Sequence, residues 1–325
     1  MKYIKNLYLK NIDHLINLKP YIDDIDIKKI SFLKHPSIED SATKYKDLYL
    51  KNNYMLSCLI SIEDFIKKIN IVEDDYQYIF SNSRLACEYA KQILRKSYFE
   101  NNDQPNIDIK YATMAEESIS KDPLSSYNYI YSFSSSLRRS FISEAEKTIA
   151  TDAKYSFLYA QYLKSVKGKI WTKGEDVISK SPEYSYKYGR QILNGRFEKG
   201  EDAIATSPEY SIEYAKYLKE YKNFHWTGGE DAIITNPLYS YEYAKDVIGG
   251  RWEKGEKTII TDIKMIYEYA VNVLDDKFDL GHDIIMNVTD GNSFSGYCKK
   301  LYIDFLKKKK YTINKKGEAI KKEKK

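Results

Sequence analysis

Six glutamates, Glu116, Glu146, Glu175, Glu201, Glu230 and Glu256, are each followed at one constant interval by a tyrosine: Tyr129, Tyr159, Tyr188, Tyr214, Tyr243 and Tyr269. Carboxylates do general acid and base chemistry when two of them converge on one bond. Here each copy stands a whole repeat away from the next, so a structural role repeated in every unit explains the series better than catalysis. The segments Gly195–Glu201 and Gly250–Glu256 read GxxxxGE, a near miss of a phosphate-binding loop. A glutamate there repels the phosphates that the loop's lysine would meet. The four histidines, at 14, 35, 225 and 282, share no metal-ligand spacing, and Cys58, Cys87 and Cys298 are far apart, without a CxxC pair. The sequence therefore points to no catalytic, cofactor-binding or metal-binding residue, and to no enzyme.

Two aromatic series remain. Trp171, Phe197, Trp226, Trp252 and Phe278 stand just before the glutamate segments. They read as seals between neighbouring units rather than as a ligand-stacking ladder, with Arg196 beside Phe197 and Arg251 beside Trp252 adding cation–π contacts. The tyrosines, 32 in 325 residues, read as core with hydroxyls at the rim. Stacking of unpaired bases is the competing use, but the helix positions Lys187, Glu213, Glu242 and Glu268 do not make a repeated basic track. Positive charge is concentrated at the C-terminus. Residues 306–325 hold ten lysines against Glu318 and Glu323, a net of +8, which leaves residues 1–305 at −3 of the chain's +5. Lys307, Lys308, Lys309 and Lys310 are the candidate polyanion contacts.

The elements that position these residues follow from local signals. Thr113, Ser143, Thr172 and Thr227 lie three residues before a repeated glutamate, a capping-box pattern that predicts the start of a short helix A of about two and a half turns. Six residues after each glutamate comes Asp122, Asp152, Ser181, Ser207, Asn236 or Asp262, and Pro123, Pro182, Pro208 and Pro237 follow four of these, marking the start of a helix B. Small residues four apart, such as Ser185 with Gly189 and Ser211 with Ala215, flank the tyrosine and allow close helix approach. Gly195, and Gly249 with Gly250, read as left-handed stops to helix B. Tyr89 and Tyr297 extend the tyrosine series at its two ends. The steps from Tyr159 to Tyr188 and from Tyr214 to Tyr243 are longer, by nearly one helical turn, than those from Tyr188 to Tyr214 and from Tyr243 to Tyr269. This alternation implies a super-repeat of two hairpins.

A helical hairpin of 26–30 residues cannot bury its own apolar face, whereas stacked copies bury a continuous one. The expected fold is all-α: a right-handed α-solenoid of short helical hairpins, 26–30 residues per repeat, with a divergent N-terminal cap. Residues 1–75 form that mostly helical cap, although Glu63–Ile66 echoes the repeat. Residues 76–306 hold about seven to eight hairpins, and residues 307–325 are a Lys-rich tail. Within that tail, Lys316–Ile320 imitates the start of a helix A, so a fraying half-repeat is expected. Gly195–Ala215 and Gly250–Ala270 follow a pattern GR(W/F)xxGExxIxxxPxYxYxYA. It resembles a tyrosine-rich short α-helical repeat family of bacteriophage and large-virus proteins, which implies architecture and a viral setting but no activity. Gln104–Asp108, an insertion, Asp262–Met265, without Pro or Tyr, and His282, in place of Glu, depart from the pattern.

The functional expectation is a non-enzymatic repeat scaffold that binds a viral or host protein through the solenoid surface. The alternative is a nucleic-acid-binding repeat protein that uses the basic tail and tyrosine stacking. No cofactor is implied. The longest clean apolar run, Met55–Ile60, is well short of the roughly 20 residues of a bilayer span, and the start lacks a signal-peptide pattern. The expected setting is intracellular, the host cytoplasm, with the nucleus of a eukaryotic host and the virion as other destinations.

Overall fold

The computed structural model describes residues 76–99, 105–133, 137–289, 291 and 293–321. The cap expected at 1–75, with His14, His35, Cys58 and Glu63–Ile66, lies outside them, as do Gln104 and residues 322–325. Among the described residues the chain is mostly helical, with one two-stranded sheet. It divides into two compact units, Met1–Tyr155 and Ser156–Lys325.

The first unit holds α1 (Tyr76–Ser81), α2 (Ser83–Phe99), α3 (Pro105–Ile119), α4 (Pro123–Phe133) and α5 (Arg139–Ile149). Pro123 opens α4, and the Asp122 carboxylate accepts the Ser125 backbone N–H at 2.8 Å. The Ser126 hydroxyl donates to the Ile119 carbonyl at 2.9 Å, tying α4 to α3. Tyr129 is buried and meets Phe141 of α5 edge-on, with ring centroids 5.3 Å apart.

Helix α6 (Ala153–Lys167) spans the division, and the second unit then repeats one plan. A single turn, α7 (Glu175–Ile178), leads to α8 (Pro182–Lys187), which widens into a π turn at Tyr188–Leu193. Next come a 3₁₀ turn at Glu198–Gly200, α9 (Glu201–Ile204) and α10 (Pro208–Lys222). The plan recurs as α11 (Glu230–Ile233), α12 (Pro237–Glu242) with its π turn Tyr243–Ile248, α13 (Glu253–Ile259), and α14 (Ile263–Tyr269) with its π turn Ala270–Leu274. Last are α15 (Asp279–Met286), α16 (Phe294–Lys308), β1 (Tyr311–Ile313) and β2 (Ala319–Lys321).

The caps of helix B have a local cause. Ser181, Ser207, Asn236 and Asp262 have extended backbones, and their side chains accept N–H groups of the first turn. Helix A differs from the sequence expectation. The helices α7, α9 and α11 are single turns that begin at the repeated glutamate, and their caps carry no side-chain hydrogen bond. Thr172 and Thr227 contribute backbone carbonyls, which accept the N–H of Glu175 and Glu230 at 3.0 and 3.1 Å. The capping box is absent there, so the glutamate side chain is available for another partner. Thr113 and Ser143 lie inside α3 and α5.

The alternating interval also has a structural origin. Helix α10 is 15 residues of regular α-helix. By contrast, α8 and α12 are six residues of α-helix followed by a six-residue π turn, which ends the helix about one turn sooner. The left-handed stop after α8 is Asn194 (φ 49°), with Gly195 beyond it, whereas Gly249 (φ 74°) takes that place after α12. Asparagine tolerates this conformation because its short polar side chain bonds locally.

The tail departs from the all-α plan. β1 and β2 pair antiparallel, with Tyr311 opposite Lys321 and Ile313 opposite Ala319. Residues 311–321 are therefore a β-hairpin and not a fraying half-repeat. Tyr311, Ile313 and Ala319 are partly buried against the core of the second unit, and Gly317 (φ 87°) makes the turn.

Candidate functional site

The repeated glutamate and tyrosine meet across four hairpins of the second unit. The hydroxyl and carboxylate are 2.8 Å apart for Tyr188 and Glu175, 3.0 Å for Tyr214 and Glu201, 3.0 Å for Tyr243 and Glu230, and 3.3 Å for Tyr269 and Glu256. Tyr159, Tyr188, Tyr214, Tyr243 and Tyr269 are at most 2% exposed, so their rings present no face to a ligand. Burial is the first cause that pushes the phenols above their usual value, to about 12 for Tyr269, with the facing carboxylate adding to it. Glu146 belongs to α5 in the first unit.

Two versions of this pair alternate. The Tyr214 and Tyr269 hydroxyls accept the backbone N–H of Phe197 and Trp252, both at 2.8 Å, and donate to the glutamate. Glu201 and Glu256 are also held by two guanidinium nitrogens each, from Arg196 and Arg251. The Tyr188 and Tyr243 hydroxyls instead face two acceptors, the glutamate and the carbonyl of Trp171 or Trp226, and the Tyr243 hydroxyl also meets His225 Nε2 at 2.9 Å. In the first unit the pair is open: Arg138 binds Glu116, and the buried Tyr129 hydroxyl has no hydrogen-bond partner among the described residues. Burial raises the Glu116 carboxyl despite Arg138.

The aromatics before helix A are buried, and each packs on the tyrosine of the preceding hairpin. Centroid distances are 5.0 Å for Tyr159 and Trp171, 4.9 Å for Tyr188 and Phe197, and 4.6 Å for Tyr243 and Trp252. Arg196 lies 4.9 Å over Phe224, not over Phe197. The glycine before each glutamate from Glu175 to Glu256 permits the same joint, whereas Glu116 and Glu146 follow alanine. A Cβ on Gly200 would stand 2.6 Å from Ser185 Cβ, and one on Gly229 would stand 2.6 Å from Ser211 Cβ. Ser185 and Ser211 donate to Ile178 and Ile204 carbonyls, both at 2.9 Å, so one small residue fixes its own hairpin and admits the next.

The last pair is displaced. Tyr297 is 56% exposed, and Tyr302 takes the buried position, with the Phe278 N–H donating to its hydroxyl. His282 stands where the glutamate would be: Nδ1 is 3.3 Å from that hydroxyl, and Nε2 donates to the Gly317 carbonyl at 3.0 Å. The loop between α15 and α16 breaks the regular spacing, which is why extending the series beyond Tyr269 led to Tyr297.

What lies at the rim is different in kind. Tyr184, Tyr210 and Tyr239 are half-buried at one position of successive helices B. Tyr184 lies 5.8 Å from Phe157, and Tyr210 lies 6.2 Å from Tyr186, so rings continue from hairpin to hairpin. Lys187 and Arg190 lie over the rings of Tyr184 and Tyr186. Of the candidate polyanion contacts, Lys307 pairs with Asp304 at 3.3 Å and Lys309 with Asp275 at 2.5 Å, whereas Lys308 and Lys310 are exposed and have no acidic partner among the described residues. Cys87 and Cys298 are buried thiols, and burial pushes Cys87 up to about 12. Among the described residues no three potential metal ligands gather, and no helix is long and apolar enough to cross a membrane. No protein-family model, curated protein or solved structure matches the chain.

Proposed function

We propose that the chain is a non-enzymatic repeat scaffold, a right-handed α-solenoid of helical hairpins, that binds another protein of a virus or its host along the tyrosine ridge of helices B. The observation that supports this reading is a division among the repeated residues. The glutamates, buried tyrosines, serines and glycines face one another inside the hairpins. Tyr184, Tyr210 and Tyr239 recur just as regularly but are only partly buried, with Tyr210 and Tyr239 packed at the edge of the core. Tyrosine and arginine are enriched where proteins meet, because a rigid ring with a polar tip buries much area at little entropic cost. A surface generated by repetition suits an extended partner. The setting proposed is the host cytoplasm.

The test is co-purification from the native cell after nuclease treatment, using the intact chain and a Tyr184→Ala/Tyr210→Ala/Tyr239→Ala variant. A stoichiometric protein held by the intact chain and released by the variant, with melting preserved, supports the ridge. A partner held equally by both sinks it, and so does substrate turnover by the purified chain.

A further inference from the structure

The C-terminal hairpin carries a second surface, independent of the ridge. It is held down by charge and hydrogen bonding. Lys321 Nζ is 2.7 Å from Asp276, the Tyr311 hydroxyl donates to Asp276 at 2.8 Å, and His282 holds the Gly317 carbonyl. These contacts fix the base and the turn. The turn itself is built around Asn314, whose Oδ1 accepts the N–H groups of Lys316 and Glu318 at 2.9 and 3.0 Å. The Asn314 amide donates to Glu318 at 2.6 Å, so the one acid of the turn is already engaged. Lys315 and Lys316 are thereby exposed at the tip without a counter-ion among the described residues, and Lys308 and Lys310 are equally uncompensated at the end of α16.

We infer that this hairpin docks on the phosphate backbone of a nucleic acid without reading its sequence. The hydrogen-bonded turn fixes the backbone that carries Lys315 and Lys316 before binding, which removes the backbone part of the ordering cost. The rest of the chain is net acidic, and its Asp304, Asp275 and Asp276 already pair with Lys307, Lys309 and Lys321, so the unpaired lysines are where a polyanion meets net positive charge. All ten basic residues of 306–325 are lysines, which act on phosphates as point charges, whereas protein interfaces favour arginine and are depleted in lysine. Membrane adsorption needs apolar insertion beside charge, and the described hairpin exposes one large apolar side chain, Ile320. Without an exposed aromatic on the hairpin, no base is stacked, and affinity is electrostatic.

The experiment is fluorescence anisotropy of the full chain with labelled oligonucleotides of two unrelated sequences, as single strands and duplexes. Four lysine–phosphate contacts give a log–log salt slope of about −3.6 on duplex DNA, roughly a 150-fold loss between 50 and 200 mM salt, with equal affinity for both sequences. The variant Lys308→Ala/Lys310→Ala/Lys315→Ala/Lys316→Ala is expected to lose about tenfold or more at low salt with unchanged melting, because none of the four is paired. Equal binding by the variant, salt-independent binding, or tighter binding to phosphatidylserine vesicles or polyglutamate than to either oligonucleotide would overturn the inference. Loss of the ridge partner leaves this measurement untouched, so the two proposals fail separately.

Discussion

The hairpins of Tyr188 and Tyr214 share the same buried ring and the same facing glutamate, yet they satisfy the hydroxyl in opposite ways. In the Tyr214 hairpin the oxygen receives the Phe197 N–H and its hydrogen goes to Glu201, so each group meets a complement. In the Tyr188 hairpin one hydrogen lies between Glu175 and the Trp171 carbonyl. The difference goes with the length of helix B. After the π turns of α8 and α12 the aromatic before helix A presents its N–H, whereas after the full helices α6 and α10 it presents its carbonyl, although three residues separate helix end from aromatic in each case. One glutamate and tyrosine pair can thus carry two polar chemistries, and the neighbouring residue alternates with it: Arg196 and Arg251 hold the glutamate in one kind of hairpin, and Ile170 and His225 stand at that position in the other.

Alkaline titration produces the largest effect. Each buried phenol has a folded pKa above the unfolded value of about 10, so its contribution is intact below that pH and is lost as pH rises through the folded value. For Tyr269, pushed up to about 12, the loss across that interval is about 3 kcal/mol, and the other buried tyrosines add to it. We expect cooperative unfolding above pH 10, followed by tyrosinate absorbance and circular dichroism together. The two hairpin types separate here. Burial raises all four phenols, but the Phe197 and Trp252 N–H groups favour the anion and offset part of the rise for Tyr214 and Tyr269. No such donor acts on Tyr188. In the folded population at the onset of that transition, site-labelled tyrosine NMR should find Tyr269 more ionised than Tyr188, and the reverse order would break the comparison.

Truncation of the ring comes next. Tyr188→Ala and Tyr214→Ala should each cost about 3–5 kcal/mol in urea unfolding, because both rings are fully buried and the cavity is the same. Removal of the hydroxyl alone sharpens the contrast. Tyr214→Phe leaves the buried Phe197 N–H without its acceptor and should cost about 1–3 kcal/mol. Tyr188→Phe removes a donor shared between two acceptors and should cost about 0.5–1.5 kcal/mol. Equal costs would show that the N–H contact carries no extra weight.

The constant interval between glutamate and tyrosine, and the caps Ser181, Ser207, Asn236 and Asp262, were legible because they are short-range and repeated. The purpose of the interval was not. A threonine three residues before a glutamate also matches a capping box, and only the folded hairpin decides between a backbone N–H nearby and a phenol on the next helix. Asn194 was hidden behind Gly195 because both tolerate the left-handed region. Tyr302 was hidden by the loop before α16, and the β-hairpin by lysines that suggest solvent while Tyr311 and Ile313 pack inward. The rim tyrosines were counted with the buried ones, since Tyr184, Tyr210 and Tyr239 stand four residues before Tyr188, Tyr214 and Tyr243 and share their side of the helix.

The smallest effect concerns the ion pairs at the two kinds of joint. Lys199 meets Asp176 across the short connection, at a carboxylate that is fully solvated. Lys216 meets Glu242 at 2.6 Å and Asp246 at 3.3 Å across the long one, and all three side chains are partly shielded. Burial lowers the Lys216 pKa, but the two carboxylates outweigh it and leave it raised. Water and salt screen the first pair and reach the second less well. Lys199→Ala should therefore leave the urea midpoint unmoved, whereas Lys216→Ala should cost about 0.2–1 kcal/mol, more at low salt than at high. A Lys199→Ala loss that equals the Lys216→Ala loss and fades with salt would mean that both joints depend on their ion pairs. The short joint would then rest on more than the Gly200–Ser185 approach and the Phe197 ring packed on Tyr188.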